Sequence, residues 1–285
     1  MAHQWQTLLR LGIPFMGAGL MASLVQLWIR VEVGNTIGAE SLGHFQAAST
    51  ISMQYIGFVL AAMGADYYPR LTGVINDHKA ATRLVNEQTE IALLLSAPVF
   101  IAMIGLTPAV IHLLYSSAFA PAVDVLRWQI LGDVLKVASW PLGFVILAAG
   151  AGKTFFWTET LALVIMGGLI AAFSSSVGLK ITGIAFLVCY LVYLPLVYLL
   201  AKRRIGFKWT GNNVKLMITI FTLCTTIAVI STQYWWGAIA AVVLSLISAL
   251  CALVRIASIG KLGGSLGRMS EIASRIATKV GFNSY

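Results

Sequence analysis

The stretch Trp128–Gly150, WQILGDVLKVASWPLGFVILAAG, decides the fold. Apart from two charges, Asp133 and Lys136, it is apolar over a length that crosses a bilayer as a helix, for which about 20 residues suffice. Backbone groups in lipid have to be satisfied within the segment, so a run of this kind is helical. Working outward, runs of the same character recur along the chain. We read eight spans: Leu8–Ile29, Phe45–Ala65, Ile91–Tyr115, Val123–Ala149, Phe155–Phe173, Ile181–Leu200, Val214–Thr232 and Tyr234–Arg255. The last two are joined only at Thr232–Tyr234, which predicts an antiparallel hairpin with Trp235 and Trp236 at its turn, where interfacial aromatics belong.

Composition agrees. The 285 residues are 59% hydrophobic and 10% charged, with a mean hydropathy of +0.88; soluble domains carry about 25% charged residues. Too little polar surface exists to cover a water-facing globule, and the fold class is an all-α, polytopic membrane protein. Met1–Gln6 has no basic region and the first apolar run outlasts a signal peptide, so the first span is expected to be retained. Cys189, Cys224 and Cys251 all fall inside spans and read as small buried hydrophobes rather than disulfide partners or metal ligands.

Charge sets the orientation. With the N-terminus inside, fifteen of the nineteen Lys and Arg lie on inner segments and three (Arg30, Arg127 and Lys180) on outer ones, Lys136 being within a span. The positive-inside rule then predicts both termini in the cytoplasm. It also accounts for the formal net charge of +9 without nucleic acid, because the basic residues face anionic inner-leaflet lipid. Two segments between or after spans have their own patterns. From Pro69 to Glu90, Leu71, Ile75 and Val85 form a stripe that predicts an interfacial cytoplasmic helix. From Ser258 to Val280, Ile259, Leu262, Leu266, Met269, Ile272, Ile276 and Val280 recur at spacings of three and four, with Lys261, Arg268, Arg275 and Lys279 elsewhere on the wheel. That is a basic amphipathic helix lying on the membrane.

Ionisable residues inside spans are costly and mark functional sites. Asp133 and Lys136 share a helical face at i,i+3, where they can neutralise each other. They either bridge neighbouring helices or line a polar cavity in which Lys136 meets an anionic headgroup. Arg30 and Arg127, at the outer ends of the first and fourth spans, are the further cavity candidates. Pro141 and Gly143 interrupt the hydrogen-bond ladder of the fourth span, and Pro14 and Gly17 that of the first, beside Gly12 and Gly19. Such spans point to the moving, site-lining helices of transporters; equally, the glycines fit close-packing positions, such as Gly19 with Ser23. Asp66, Glu159 and His112 read as interfacial. The histidines have no metal spacing, and no P-loop, G-x-S-x-G or H-E-x-x-H constellation is present; the GKT at Gly152–Thr154 lacks the preceding glycine and strand of a phosphate loop. No cofactor and no enzymatic chemistry are expected.

Four strings carry a family resemblance: Gly43–Ala48 (GHFQAA), Met63–Thr72 (MGADYYPRLT), Leu114–Ala122 (LYSSAFAPA), and Leu131–Lys136 (LGDVLK) continuing to Ser139–Phe144 (SWPLGF). They resemble the Wzx-type polysaccharide flippases of the MOP exporter superfamily. The resemblance implies alternating access between two six-helix lobes around a cationic cavity, through which an undecaprenyl-diphosphate-linked oligosaccharide turns across the bacterial inner membrane for O-antigen or related lipopolysaccharide biosynthesis. It implies residues 1–200 as the second six-helix lobe, 201–256 as an extra hairpin and 257–285 as the basic cytoplasmic tail. The chain is then the C-terminal part of a larger transporter, from a fragment or a split gene, or it pairs with a second chain; polysaccharide assembly proteins are further possible partners. A multidrug exporter of the same superfamily and a non-transporting truncated scaffold are the alternatives. A membrane polymerase or acyltransferase would need reactive groups at an aqueous face, which the sequence does not offer.

Overall fold

A computed structural model describes residues 2–234 and 236–259. Among these residues the chain is helical, with no β-strand. Eight long helices follow one another: α1 (Ala2–Thr36), α2 (Ala39–Val74), α3 (His78–Leu114), α4 (Ala122–Ala148), α5 (Gly152–Val177), α6 (Lys180–Ile205), α7 (Gly211–Gln233) and α8 (Trp236–Ile259). A single 3-10 turn, Ser117–Phe119, lies between α3 and α4. Links this short between such long helices reverse the chain each time, so successive helices run antiparallel.

Seven of the eight are long and apolar enough to cross a membrane; α2 is not among the seven. We read Phe45–Ala65 as the second span, and the first half of that stretch holds Gln46, Ser49, Thr50, Ser52 and Gln54. A second difference lies just beyond it. The separate interfacial helix expected over Pro69–Glu90 is not formed. Instead α2 continues to Val74, with Tyr67 and Leu71 fully buried, and α3 begins at His78. Asp77 makes this break: its carboxylate accepts from the backbone N–H groups of Lys79 and Ala80, both at 3.0 Å, an N-cap that starts a new helix. Leu71 and Val85 thus belong to two different helices.

The core is built around α4. In its most apolar window 83% of residues are buried, against 11% for α1. α4 packs against α2, α3, α5, α6 and α7; α1 lies on α5 and α8 lies on α3. The α4–α6 contact is the most extensive, and two glycines permit its close approach. A Cβ at Gly132 would stand 2.5 Å from the Phe186 ring, and one at Gly183 would stand 2.6 Å from the Val125 carbonyl oxygen. Helices α1 and α4 run unbroken through Pro14 and Pro141. The carbonyl of Pro141 is taken by the Tyr67 hydroxyl at 2.9 Å, which ties α2 to α4 at that point.

α7 and α8 form the expected hairpin, closed tightly at Gly237, where a Cβ would lie 2.7 Å from Ser231 Cα. The hairpin is fixed to α3: Ser245 donates to the Pro98 carbonyl at 2.8 Å, and Arg255 and Asn212 both reach Glu90, at 2.7 and 2.9 Å. Cys189 and Cys224 are buried as expected. Cys251 is exposed on α8, because that helix packs on one side only. Trp235 and the amphipathic tail beyond Ile259 lie outside the described residues.

Candidate cavity site

Two cavities open between α1, α2, α4, α5 and α6. The first, of about 350 Å³, is lined by Gln26 and Arg30 of α1, by Gln46, Ser49, Thr50, Ser52, Met53 and Gln54 of α2, and by Gln129 of α4. The α2 residues recur at helical spacing, so one face of that helix carries the lining. Gln129 donates to the Ser49 hydroxyl at 3.0 Å. The chemistry is that of neutral hydrogen-bonding groups with one guanidinium, Arg30, which is exposed.

The second cavity, of about 290 Å³, is lined by Lys136, Ser139, Trp140 and Phe144 of α4, by Phe155 and Glu159 of α5, and by Tyr190 and Tyr193 of α6. Its walls are mostly aromatic. Gly143 also lines it, with the Tyr193 hydroxyl 3.5 Å from where a Cβ would stand. Glu159, read as an interfacial residue from its position, instead faces this cavity and accepts a hydrogen bond from the Tyr193 hydroxyl.

Lys136 joins the two. Its ammonium lies 3.7 Å from Met53 Sδ, 5.6 Å from the Phe186 ring centroid and 5.9 Å from that of Tyr190. Met53 and Phe186 line the first cavity, and Tyr190 the second. A cation within about 6 Å of an aromatic centroid is attracted by the ring, which holds the side chain without neutralising it.

Asp133 and Lys136, expected to neutralise each other, are held by different partners. Asp133 is fully buried, and its Oδ2 accepts from the hydroxyls of Ser52 at 2.6 Å and Tyr55 at 2.7 Å. No Asp133–Lys136 ion pair occurs among the described residues, where the ion pairs are Arg70–Asp66, Lys180–Asp124 and Arg255–Glu90. Asp133 thus joins α4 to α2 behind the cavity wall, while Lys136 faces the cavity. Arg127 lines neither cavity; buried, it donates to the Ser231 carbonyl at 3.3 Å and hydroxyl at 3.0 Å, linking α4 to the end of α7. Gly17 packs on α5, with the Phe156 ring 3.3 Å from a Cβ position. Gly19 meets nothing within 4 Å; Ser23 donates to its carbonyl at 3.0 Å within the same helix. Ser52, Tyr55 and Gln129 were not singled out in the sequence. The signal for Ser52 and Tyr55 was the polar spacing within the second span; Gln129, in the fourth span, stood out only as a polar residue in an apolar run.

Residues 2–124 match the model of a family described as polysaccharide biosynthesis protein. That match includes Arg30 and the α2 lining but ends before Asp133 and Lys136. The chain is 28% identical over 172 residues to the lipid III flippases of Escherichia coli (strain K12) and of Shigella flexneri. The match covers 58% of this chain but only 40% of the length of either relative. In fold, with a TM-score of 0.61 and 16% identity, it is similar to a multidrug resistance MATE family transporter of the MOP superfamily in an outward-facing conformation. The same values relate it to a MOP superfamily transporter from Pyrococcus furiosus, whose description notes a reversed polarity of the binding pocket. In both cases 97% of this chain and 69% of the other are covered. The chain thus resembles the family model over its first 124 residues, the lipid III flippases over about three fifths of its length, and the two transporters in fold.

Proposed function

We propose, from the premise that the chain stands with the MOP-superfamily polysaccharide flippases, that it supplies one wall of a translocation cavity for a lipid-linked oligosaccharide. The observation carrying this reading is Lys136, a cation inside a span that is framed by Met53, Phe186 and Tyr190 between a glutamine- and serine-lined cavity and a largely aromatic one. Lys136 forms no ion pair among the described residues, although Glu159 lines the same cavity, and a polyprenyl-diphosphate headgroup is an anion that such a cation would attract. The glutamine- and serine-lined cavity offers donors and acceptors to sugar hydroxyls, and the aromatic walls of the other offer flat apolar faces. The relatives' description as lipid III flippases supports the same substrate class.

Four finer readings belong to this proposal. The substrate is an undecaprenyl-diphosphate-linked repeat for O-antigen or a related surface polysaccharide. The protein works in the bacterial inner membrane with both termini in the cytoplasm. Residues 1–200 act as one lobe, 201–256 as an added hairpin and 257–285 as a membrane-bound tail, the lobe closing its cavity against a second lobe or chain. Pro14 and Pro141 are the positions at which α1 and α4 flex during the cycle, with Gly17 and Gly143 beside them.

The test is complementation of a flippase-deficient strain, with the chain in its native gene context. Lys136→Ala is expected to cut translocation by about tenfold to a hundredfold, the value of one charge-assisted contact, at unchanged protein level. Lys136→Arg is expected to retain most of it. Wild-type translocation by Lys136→Ala would exclude the phosphate role.

A further inference from the structure

At the end of the bundle where α2 meets α3 and α6 meets α7 lies a cavity of about 530 Å³ that the translocation path does not use. It is lined by Lys79, Thr82, Arg83, Asn86, Glu87 and Glu90 of α3, with Lys208 and Thr210 of the α6–α7 link opposite. The link is built to hold Lys208 outward. Gly206 ends α6 with φ at 67°, a left-handed conformation that favours glycine. Phe207 is fully buried, and Trp209 stacks on Tyr198 at 6.4 Å between centroids. Lys208, between these two anchors, is exposed. The buried Asn86 then fastens the backbone on both sides of Trp209: its amide donates to the Lys208 carbonyl at 3.0 Å, and its oxygen accepts from the Thr210 N–H at 2.9 Å. Asn213 adds a hydrogen bond to the Asn86 carbonyl at 2.9 Å.

Three cations therefore face one cavity from a fixed frame. Lys79 and Arg83 sit one turn apart on α3, and both are exposed. Neither they nor Lys208 form an ion pair among the described residues. Of the two carboxylates present, Glu90 is engaged by Arg255 and Asn212, which leaves Glu87 against the three cations. We infer that this cavity binds the phosphate of an anionic glycerophospholipid from the adjoining leaflet. Basic pockets between spanning helices take such headgroups. Apolar surface for the acyl chains is offered by the half-buried Trp209 of the link and by exposed residues of the two helices that it joins, Leu199 of α6 and Ile218 of α7. The bound lipid would hold the α6–α7 link against α3, and through it the position of the hairpin. The proposal is independent of the transported substrate.

The experiment is native mass spectrometry of the full chain, extracted from vesicles of phosphatidylglycerol and phosphatidylcholine, together with thermal melting in neutral detergent with added lipid. Lys79→Gln, Arg83→Gln and Lys208→Gln combined are expected to lower retention of phosphatidylglycerol roughly a hundredfold, since each cation near the surface contributes about one kcal/mol. A control in which Lys202, Arg203 and Lys215 become Gln is expected to retain it, and both variants should melt like the wild type without lipid. Equal loss in the two variants would reduce the effect to general surface charge and overturn the site. Stabilisation by inorganic phosphate or glycerophosphate as great as by phosphatidylglycerol would assign the pocket to a soluble phosphate and overturn the lipid assignment.

Discussion

The hydroxyl of Tyr55 donates to Oδ2 of Asp133 at 2.7 Å, and Ser52, one turn earlier on α2, reaches the same oxygen at 2.6 Å. Two neutral donors thus hold a fully buried carboxylate whose nearest cation in sequence, Lys136, faces elsewhere. This junction fixes α2 against α4, and with it the polar face that lines the Arg30 cavity.

Tyr55→Phe is therefore expected to destabilise the protein by about 1.5–3 kcal/mol, the value of a hydrogen bond to a charged group. Ser52→Ala should cost a similar amount, and the double variant less than the sum if the carboxylate finds a new partner. Thermal melting of the purified variants in detergent checks this; an unchanged double variant would mean that the junction is not structural.

The α4–α6 contact should tolerate no side chain at its two glycines. Gly183→Leu places atoms against the Val125 carbonyl, and Gly132→Leu against Phe186. Each overpacking change is expected to cost about 1–3 kcal/mol or more and to lower the yield of folded protein. Gly168 is the contrasting position, with open space around its Cβ, so Gly168→Leu should melt close to the wild type.

Water reaches the cavity face of α2 if the proposed function is right. In a cysteine-free background, Gln46→Cys and Gln54→Cys should react with a polar, membrane-impermeant thiol reagent, whereas Val243→Cys and Leu246→Cys on exposed α8 should not. A thiolate forms in water and not in hydrocarbon, so the reaction rates separate the two environments. Equal labelling of all four would remove the distinction between cavity and lipid face.

Charge predicts the orientation. Reporter fusions after Asn76 and after Lys153 are expected to score as cytoplasmic, and fusions after Gly38 and after Gly178 as external, given the crowding of Lys and Arg on one set of turns. The reverse pattern would also move the proposed phospholipid site to the other leaflet.

The four strings of the family resemblance fall near the start of α2, at its end, where α3 gives way to α4, and in α4 itself. The α2 string DYYPRL illustrates how position and role separate. Its sequence reads as the edge of a span, yet Tyr67 is wholly buried and holds the Pro141 carbonyl. Likewise Pro69–Glu90 has the stripe of one interfacial helix, but Asp77 caps a new one inside it. A hydrophobic stripe records which residues are covered and not which helix they belong to.

The sequence by itself determined the membrane class, nearly all of the helices and the uneven charge of the two ends. These depend on the length of apolar runs and on where Lys and Arg fall, both local properties. Tertiary structure alone decided the fate of Asp133 and Lys136. Residues at i and i+3 on a helix point about 60° apart, close enough to meet yet far enough for two neighbours to divide them. Here α2 takes the carboxylate through Ser52 and Tyr55, while α6 borders the ammonium with Phe186 and Tyr190. Which helix lies over which side of α4 depends on contacts between residues far apart in the chain, such as Gly132 with Phe186, and no local pattern records them.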